Sequence, residues 1–490
     1  MADDIRPDTR SAAYNLMAPR WEMLRTIMSG TPAMREAGKT YLPQFAAESD
    51  DDYDARLQKT VLTNYLEDAV RNAASLPFKK PISISESTPE PIKLILEDVD
   101  LQGRDITRFA TEVMHDGVTA GYTFILVDFP RVADKVQNLG QEKAMKARPY
   151  WVHLKADDVV AVYSTRINGV ETITHLRFLE ETVERVEFKE VTVRRVRVYE
   201  PGLYSVYRED PETKKWVLDE SGPMSIPIVP IVPIMCGRSE GSPFVVKPLF
   251  MDLAFKQIEH WQSASDQRNI LSFARFPLLA VAGIGTDSTD THAIGPGKLL
   301  ATSDPQGKWY YVEPSGNAIE AGRKDLETLK EEMRILGLQP QIGETGSVTA
   351  TARALDETRV HSAVQVLALN LEDALNQAID LTCLWLNIQT EEATVQVNRD
   401  FGISLRDARE LEALIRTRVA GELSRETFWS ELKRRNVLSA DFNSALEIEL
   451  LEQEAVMGVL PGNFGMPGTN QSDPAQEDQP REEPDPAVGN

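Results

Sequence analysis

Cysteine is nearly absent. The 490 residues hold two, Cys236 and Cys383, too few for a disulfide scaffold or a four-thiolate zinc site, so a reducing compartment is the simpler expectation. Long apolar runs are absent too. The longest, Ile226 to Cys236, is too short to span a bilayer and contains three prolines, so no membrane partner is expected. The opening Met1-Ala-Asp-Asp-Ile-Arg lacks the basic-then-apolar order of a secretory signal, and a soluble cytoplasmic product is expected. Positive charge is in deficit. With Lys+Arg at 53 against Asp+Glu at 76, the net charge is -23, which argues against a surface that grips DNA or anionic lipid.

Catalytic constellations are scarce. The histidines at 115, 153, 175, 260, 292 and 361 are scattered, with no H-E-x-x-H and no cysteine at ligand spacing, so no metal is expected. Gly295-Pro-Gly-Lys298 is followed by Leu299, which cannot reach magnesium, so it reads as a turn and not a phosphate loop. Asp50-Asp51-Asp52 lacks calcium-loop spacing and reads as a helix N-terminus. The sharpest catalytic match is Gly237-Arg238-Ser239-Glu240-Gly241, a G-x-S-x-G sequence. A nucleophile elbow needs a central parallel strand before it, and Pro227, Pro230 and Pro233 oppose one. A tight turn is the better account. Neither a cofactor nor an enzymatic activity is expected.

What is present can build a core: 42% of residues are hydrophobic and 26% charged, and the length allows about three compact units. Tyr14, Met17, Trp21, Leu24 and Met28 predict a first helix, bent at Pro19 and stopped by Gly30. Ser49 with Asp52 caps a second, whose stripe runs from Tyr53 through Leu57, Val61, Tyr65, Ala69 and Ala73 to Leu76. A third spans Asp105 to Gly121 and leads into a strand, Tyr122 to Phe129. Strands fill Tyr150 to Leu218, with turns at Asn168-Gly169 and Pro201-Gly202. Ile226 to Ile234, with proline at every third residue, reads as an extended connector and not a central strand.

Ser242-Pro243 is expected to cap a helix from Phe244 to Phe273. An insert follows, with short strands at Leu278 to Ala282, Lys298 to Ala301 and Trp309 to Val312. The next helix, Asn317 to Leu336, sets Ile319, Gly322, Leu326, Leu329, Met333 and Leu336 at alternating spacings of three and four with charge elsewhere. That is a packing seam, expected to be buried only when copies of the chain stand side by side. Gly343 to Ala350 reads as a flexible loop, and Thr351 to Asn387 as a spine helix with Val360, Val364, Leu367, Leu371, Ala374, Ala378 and Leu381 inward. A short strand at Thr394 to Asn398 and helices from Ser404 to Met457 follow. The end, Pro461 to Asn490, has the composition of a disordered acidic tail.

This order of segments resembles the portal proteins of tailed double-stranded DNA bacteriophages. So do Tyr41-Leu-Pro, Tyr53 to Arg56, Asn64, Ser242-Pro and Gly337-Leu-Gln-Pro. The likeness spans about residues 10 to 455 and rests on order and loose positions. It implies an α+β fold and a ring-forming portal architecture: a mixed α/β wing over 1–243, stem helices at 244–273 and 317–336, and a small α/β clip at 274–316. A tunnel loop at 337–350, a long wing helix and strand at 351–402, a helical crown at 403–457 and a tail at 458–490 complete it. Gln339, Gln341, Glu344, Thr345 and Ser347 would face the channel with weak, exchangeable contacts. Ile319, Leu326, Leu329, Met333 and Leu336 would form the stem seam.

The implied product is a structural virion protein, assembled in the host bacterial cytoplasm. It would form a homo-oligomeric ring of about twelve at one capsid vertex. Double-stranded DNA would pass through it, driven in by a motor containing the terminase large subunit and later ejected. The major capsid or scaffolding protein and a head-tail adaptor would dock on it, and a strongly acidic conduit would repel the sliding phosphates. Two other readings stand beside this one: a serine hydrolase using Ser239, and a non-viral scaffold protein with an acidic tail.

Overall fold

The Ser11 hydroxyl accepts the Tyr14 N–H at 3.1 Å and opens α1 (Ala12–Met28). Pro19 does not interrupt this helix; it lies on the exposed face, where water can reach the Asn15 carbonyl that the proline leaves without its helical donor. The computed structural model describes residues 6–130, 148–275, 278–282, 306–312, 316–338, 350–389, 392–399, 401, 405–434, 437–438 and 442–456. The chain divides into two units, Met1–Gly402 and Ile403–Asn490.

After α2 (Gly30–Ala37), the single helix expected from Ser49 to Leu76 is instead two, α3 (Asp50–Lys59) and α4 (Tyr65–Ser75). Thr60 leaves the helical region at ψ 133°, and Asn64 starts the second helix by accepting the Glu67 N–H at 3.0 Å. Gln257, fully buried, holds the break open: it accepts the Tyr65 N–H and donates to the Thr63 carbonyl, both at 2.8 Å. Val61, on the extrapolated stripe, is exposed.

The short strand β1 (Ser83–Ile84) and helices α5 (Glu90–Leu96) and α6 (Ile106–Ala120) lead to β2 (Tyr122–Asp128) and β3 (Tyr150–Leu154). Strand β2 separates two cores by its period of two. Ile125 and Val127 face one, with Phe109, Val113 and Trp151. Tyr122, Phe124 and Leu126 face the other, with Tyr14, Met17, Trp21 and Leu154.

Next comes a five-stranded antiparallel meander in sequence order: β4 (Ala161–Ile167), β5 (Val170–Val186), β6 (Lys189–Glu200), β7 (Leu203–Glu209) and β8 (Trp216–Pro223). Its first and third turns are the expected Asn168-Gly169 and Pro201-Gly202. Strands β5 and β6 outrun their neighbours. β4 leaves β5 at Arg177 and β7 leaves β6 at Arg195, so the hairpin continues to Glu187 and Phe188 as a two-stranded ribbon.

The proline-rich connector is in fact a strand. β9 (Ile231–Met235) pairs with β2 at the edge of the sheet ordered β3-β2-β9. The Val127 N–H meets the Pro230 carbonyl and the Cys236 N–H meets the Gly121 carbonyl, both at 2.9 Å. That parity turns the backbone of Ile231, Pro233 and Met235 away from β2, so Pro233 removes no bond from the ladder. The donor that Pro230 cannot give to Val127 comes from the Trp385 indole, 2.9 Å from the Val127 carbonyl.

A hairpin of β10 (Arg238–Ser242) and β11 (Val245–Lys247) replaces the helix start expected at Ser242-Pro243, which instead forms its turn. Helix α7 (Met251–Arg275) follows, then β12 (Leu278–Ala282) paired with β13 (Lys308–Val312), and α8 (Gly316–Leu336). The 37-residue α9 (Ala350–Leu386) buries Val364, Leu367, Leu371, Ala374 and Ala378 against the first core. Its Asn376 pairs with the backbone of Val395 in β14 (Val395–Gln396), the partner of β1. The second unit contains, among its described residues, α10 (Leu405–Val419), α11 (Arg425–Arg434) and α12 (Ser444–Val456).

Candidate functional site

Helices α7 and α8 form an antiparallel arm. Lys256 meets Glu332 at 2.8 Å near one end, and Gln267 Nε2 donates to the Ile319 carbonyl at 3.0 Å farther along. Gly322 permits that approach: a Cβ there would stand 2.1 Å from Gln267 Oε1. The register continues into β12 and β13, where Ala282 faces Lys308.

The arm has two halves of different character. In α7, Leu253, Ala254, Gln257, His260, Trp261 and Ser265 are buried, but none of the described side chains from Asp266 to Arg275 is. In α8 only Leu329 and Met333 are buried. The seam therefore divides. Its base belongs to the subunit's own core, which corrects the expectation that neighbours alone would bury it. Ile319 and Leu326 are half-buried and Leu336 is exposed at 36%. From Ser265, α7 projects about 15 Å before β12 begins.

The root is braced by a buried ion pair that the sequence reading passed over. Arg56, 5% exposed, donates Nε and Nη2 to the two Glu48 carboxylate oxygens, each at 2.7 Å. Nη2 also reaches the Pro43 carbonyl at 2.9 Å, Nη1 lies 3.3 Å from Ser265 Oγ, and the guanidinium sits 4.4 Å from the Phe45 ring centre. These hydrogen bonds hold the Glu48 carboxyl below its ordinary range. Beside them Thr60 Oγ1 is 2.9 Å from Ser265 Oγ, and Gln262 donates to the Tyr41 carbonyl.

The structure thus brings Tyr41-Leu42-Pro43, Tyr53, Arg56 and Asn64 together around the base of the arm. Gly337 joins them, where a Cβ would stand 3.2 Å from Ala69 Cβ, closer than ordinary contact, and 3.5 Å from Leu253 Cδ2. A charged residue followed by Tyr or Arg on a short helix carries no special pattern. The usable signal was Asn64-Tyr-Leu-Glu67, a capping box that marks the break between α3 and α4.

His260 packs edge-on against Tyr65, with ring centres 5.9 Å apart, and burial with Lys330 nearby lowers its pKa. The unfolded chain therefore binds this proton more readily than the native state, and stability is lost as pH falls below about 6.5. Subtracting the thermal midpoints of a His260→Phe variant from those of the wild type should give a difference that shifts against the wild type between pH 7 and 5. A flat difference would contradict it.

Ser239 is not in an elbow. It lies in β10, exposed, and its hydroxyl donates to the Ser242 carbonyl at 3.0 Å. A Cβ at Gly237 would come within 2.5 Å of both the Lys247 carbonyl oxygen and Val246 Cγ1, so this glycine serves hairpin packing. Glu240 pairs with Arg20 at 2.8 Å. Among the described residues no group of three or more His, Cys, Asp or Glu could hold a metal ion, and no helix is long and apolar enough to cross a membrane. Gln339, Gln341, Glu344, Thr345 and Ser347 lie outside the described residues, as do Lys298 to Ala301 and the tail from Pro461.

A family described as "Domain of unknown function (DUF4055)" matches residues 248–386, from the root of the arm to the end of α9. No curated protein matches the chain. Among solved structures, it is similar to a chain of the "Neck of native GTA particle computed with C12 symmetry", with 12% identity, a TM-score of 0.44, and coverage of 74% of this chain and 88% of that one. A chain of the "Neck of empty GTA particle computed with C6 symmetry" aligns at 12% identity and TM-score 0.42, covering 81% and 90%. A third belongs to the "Virion of native gene transfer agent (GTA) particle", at 12% identity and TM-score 0.40, covering 87% and 99%.

Proposed function

We propose that this chain is a structural virion protein of a phage-like particle, and specifically its portal: a ring at one capsid vertex through which double-stranded DNA is packaged and released. The observation that carries the reading is the arm. Two helices are embedded at their base, have no buried side chain among the described residues of their distal half and lead to the antiparallel strand pair β12 and β13, with half-buried Ile319 and Leu326 on the distal part. Such a surface gains burial when copies stand side by side, and contacts between different patches of one chain make a ring where the rotation between copies closes. The segment order supports the same reading, and the net charge of -23 suits a channel that phosphates must slide through.

In this reading α7 and α8 are the stem, β12 and β13 the described part of the clip offered to the packaging motor and later to a head-tail adaptor, and 337–350 the loop facing DNA. The chain performs no bond chemistry. Negative-stain micrographs of the purified full-length protein are expected to show a ring with a central hole, and its native mass to correspond to about a dozen copies. A stable monomer at all micromolar concentrations would end the proposal.

A further inference from the structure

We infer that the tip of the β5–β6 ribbon, Phe188 with Val183, seats in an apolar groove of a second copy of this chain, beside β9 and α9. The inference rests on the assembly reading above and names a contact within it.

The tip is unusual for a surface turn. Phe188 is 94% exposed and Val183 63%, at the end of a ribbon that pairs only with itself and would be marginal alone. The other two turns of the sheet's long strands meet positive φ with residues suited to it, Asn168-Gly169 and Gly202. Here Glu187 takes φ +56°, a conformation L side chains avoid. Local preference would select neither residue. Ion pairs stiffen the root, Arg194 with Glu181 at 3.1 Å and Arg195 with Glu184 at 2.8 Å, so the aromatic is presented on a held support.

The groove has a volume of about 700 Å³ and is lined by Ile173, Ile228, Pro233, Leu381 and Leu384, with Asp380 at its rim. Asp380 has no cationic partner among the described residues. The knob carries the complement: the Arg185 guanidinium stands 5.9 Å from the centre of the Phe188 ring. A chain cannot fill its own groove. Ile173 lies at the start of β5 and the tip at its end, so thirteen residues of extended strand separate them by roughly 43 Å. Knob and groove are different patches, so the contact is head-to-tail and propagates from copy to copy.

The test uses the full-length protein with p-benzoylphenylalanine in place of Phe188. Irradiation is expected to give a ladder of dimers, trimers and higher adducts on a denaturing gel, with the attached peptides falling within 228–235 or 377–384. Leu384→Asp, at a 44% exposed position, is expected to cut the adduct yield about tenfold while leaving the thermal midpoint unchanged. Adducts that stop at the dimer, that map to other segments or to another protein, or a yield indifferent to Leu384→Asp would each overturn the contact. Native mass on the same sample separates the two proposals. Rings whose adducts map elsewhere end this inference alone; a monomer without adducts ends both.

Discussion

Replacing Arg56 with methionine is expected to cost about 3 kcal/mol or more in unfolding free energy, measured by chemical denaturation. Methionine fills much of the same space, so the loss is electrostatic. Glu48 would remain buried with neither its bidentate partner nor water, and Ser265 and the Pro43 carbonyl would lose a donor. The double variant Arg56→Met with Glu48→Gln strands no charge and should recover most of the loss. Sign follows from linkage. In the wild type the lowered Glu48 pKa contributes stability above its ordinary value of 4.5, which disappears as pH falls. In the single variant acid neutralises the stranded carboxyl, so the gap between the two proteins should narrow below pH 4.5. A single variant as stable as the double would mean the pair does not brace the arm.

Ile319→Asp combined with Leu326→Asp is expected to reduce assembly at least about tenfold, read as native mass against concentration, while costing the isolated subunit only about 1 kcal/mol. Both side chains are half-buried on the distal part of α8. Met333→Asp makes the contrast. That side chain is fully buried, so an unpaired charge there should damage the subunit fold itself. If the distal pair destabilised the subunit as much as Met333→Asp, the whole seam would belong to the monomer's core, and the side-by-side reading of the arm would fall.

Why some elements could be read in advance and others could not is a matter of which physical signal is local. Spacing of three and four placed α6, α8 and α9 within a few residues, because each gathers its apolar side chains on one face. The same spacing misled at α3 and α4. Their stripes happen to stay in phase across Thr60 to Asn64, and the break is enforced by Gln257, nearly two hundred residues away. Ser242-Pro243 misled differently, since proline's fixed φ suits a hairpin turn as well as a first helical turn. The seam was recognised as a stripe, but which of its residues the subunit keeps for itself depends on where the arm leaves the core. Arg56 was visible only as part of a resemblance, because its partners come from Glu48, Pro43 and Ser265 on three separate segments.

The odd parity of β9 has a consequence for how copies coexist before they assemble. A free sheet margin beside an open apolar trough is normally an invitation to strand addition, and many chains held close together would fuse through it into fibrils. Here Pro233 has no hydrogen to offer, Ile231 spends its own on the Val229 carbonyl, and Asn370 occupies the Met235 oxygen. A stranger's backbone finds too few handholds to zip on. Crowded subunits can therefore touch through side chains while their sheets stay separate.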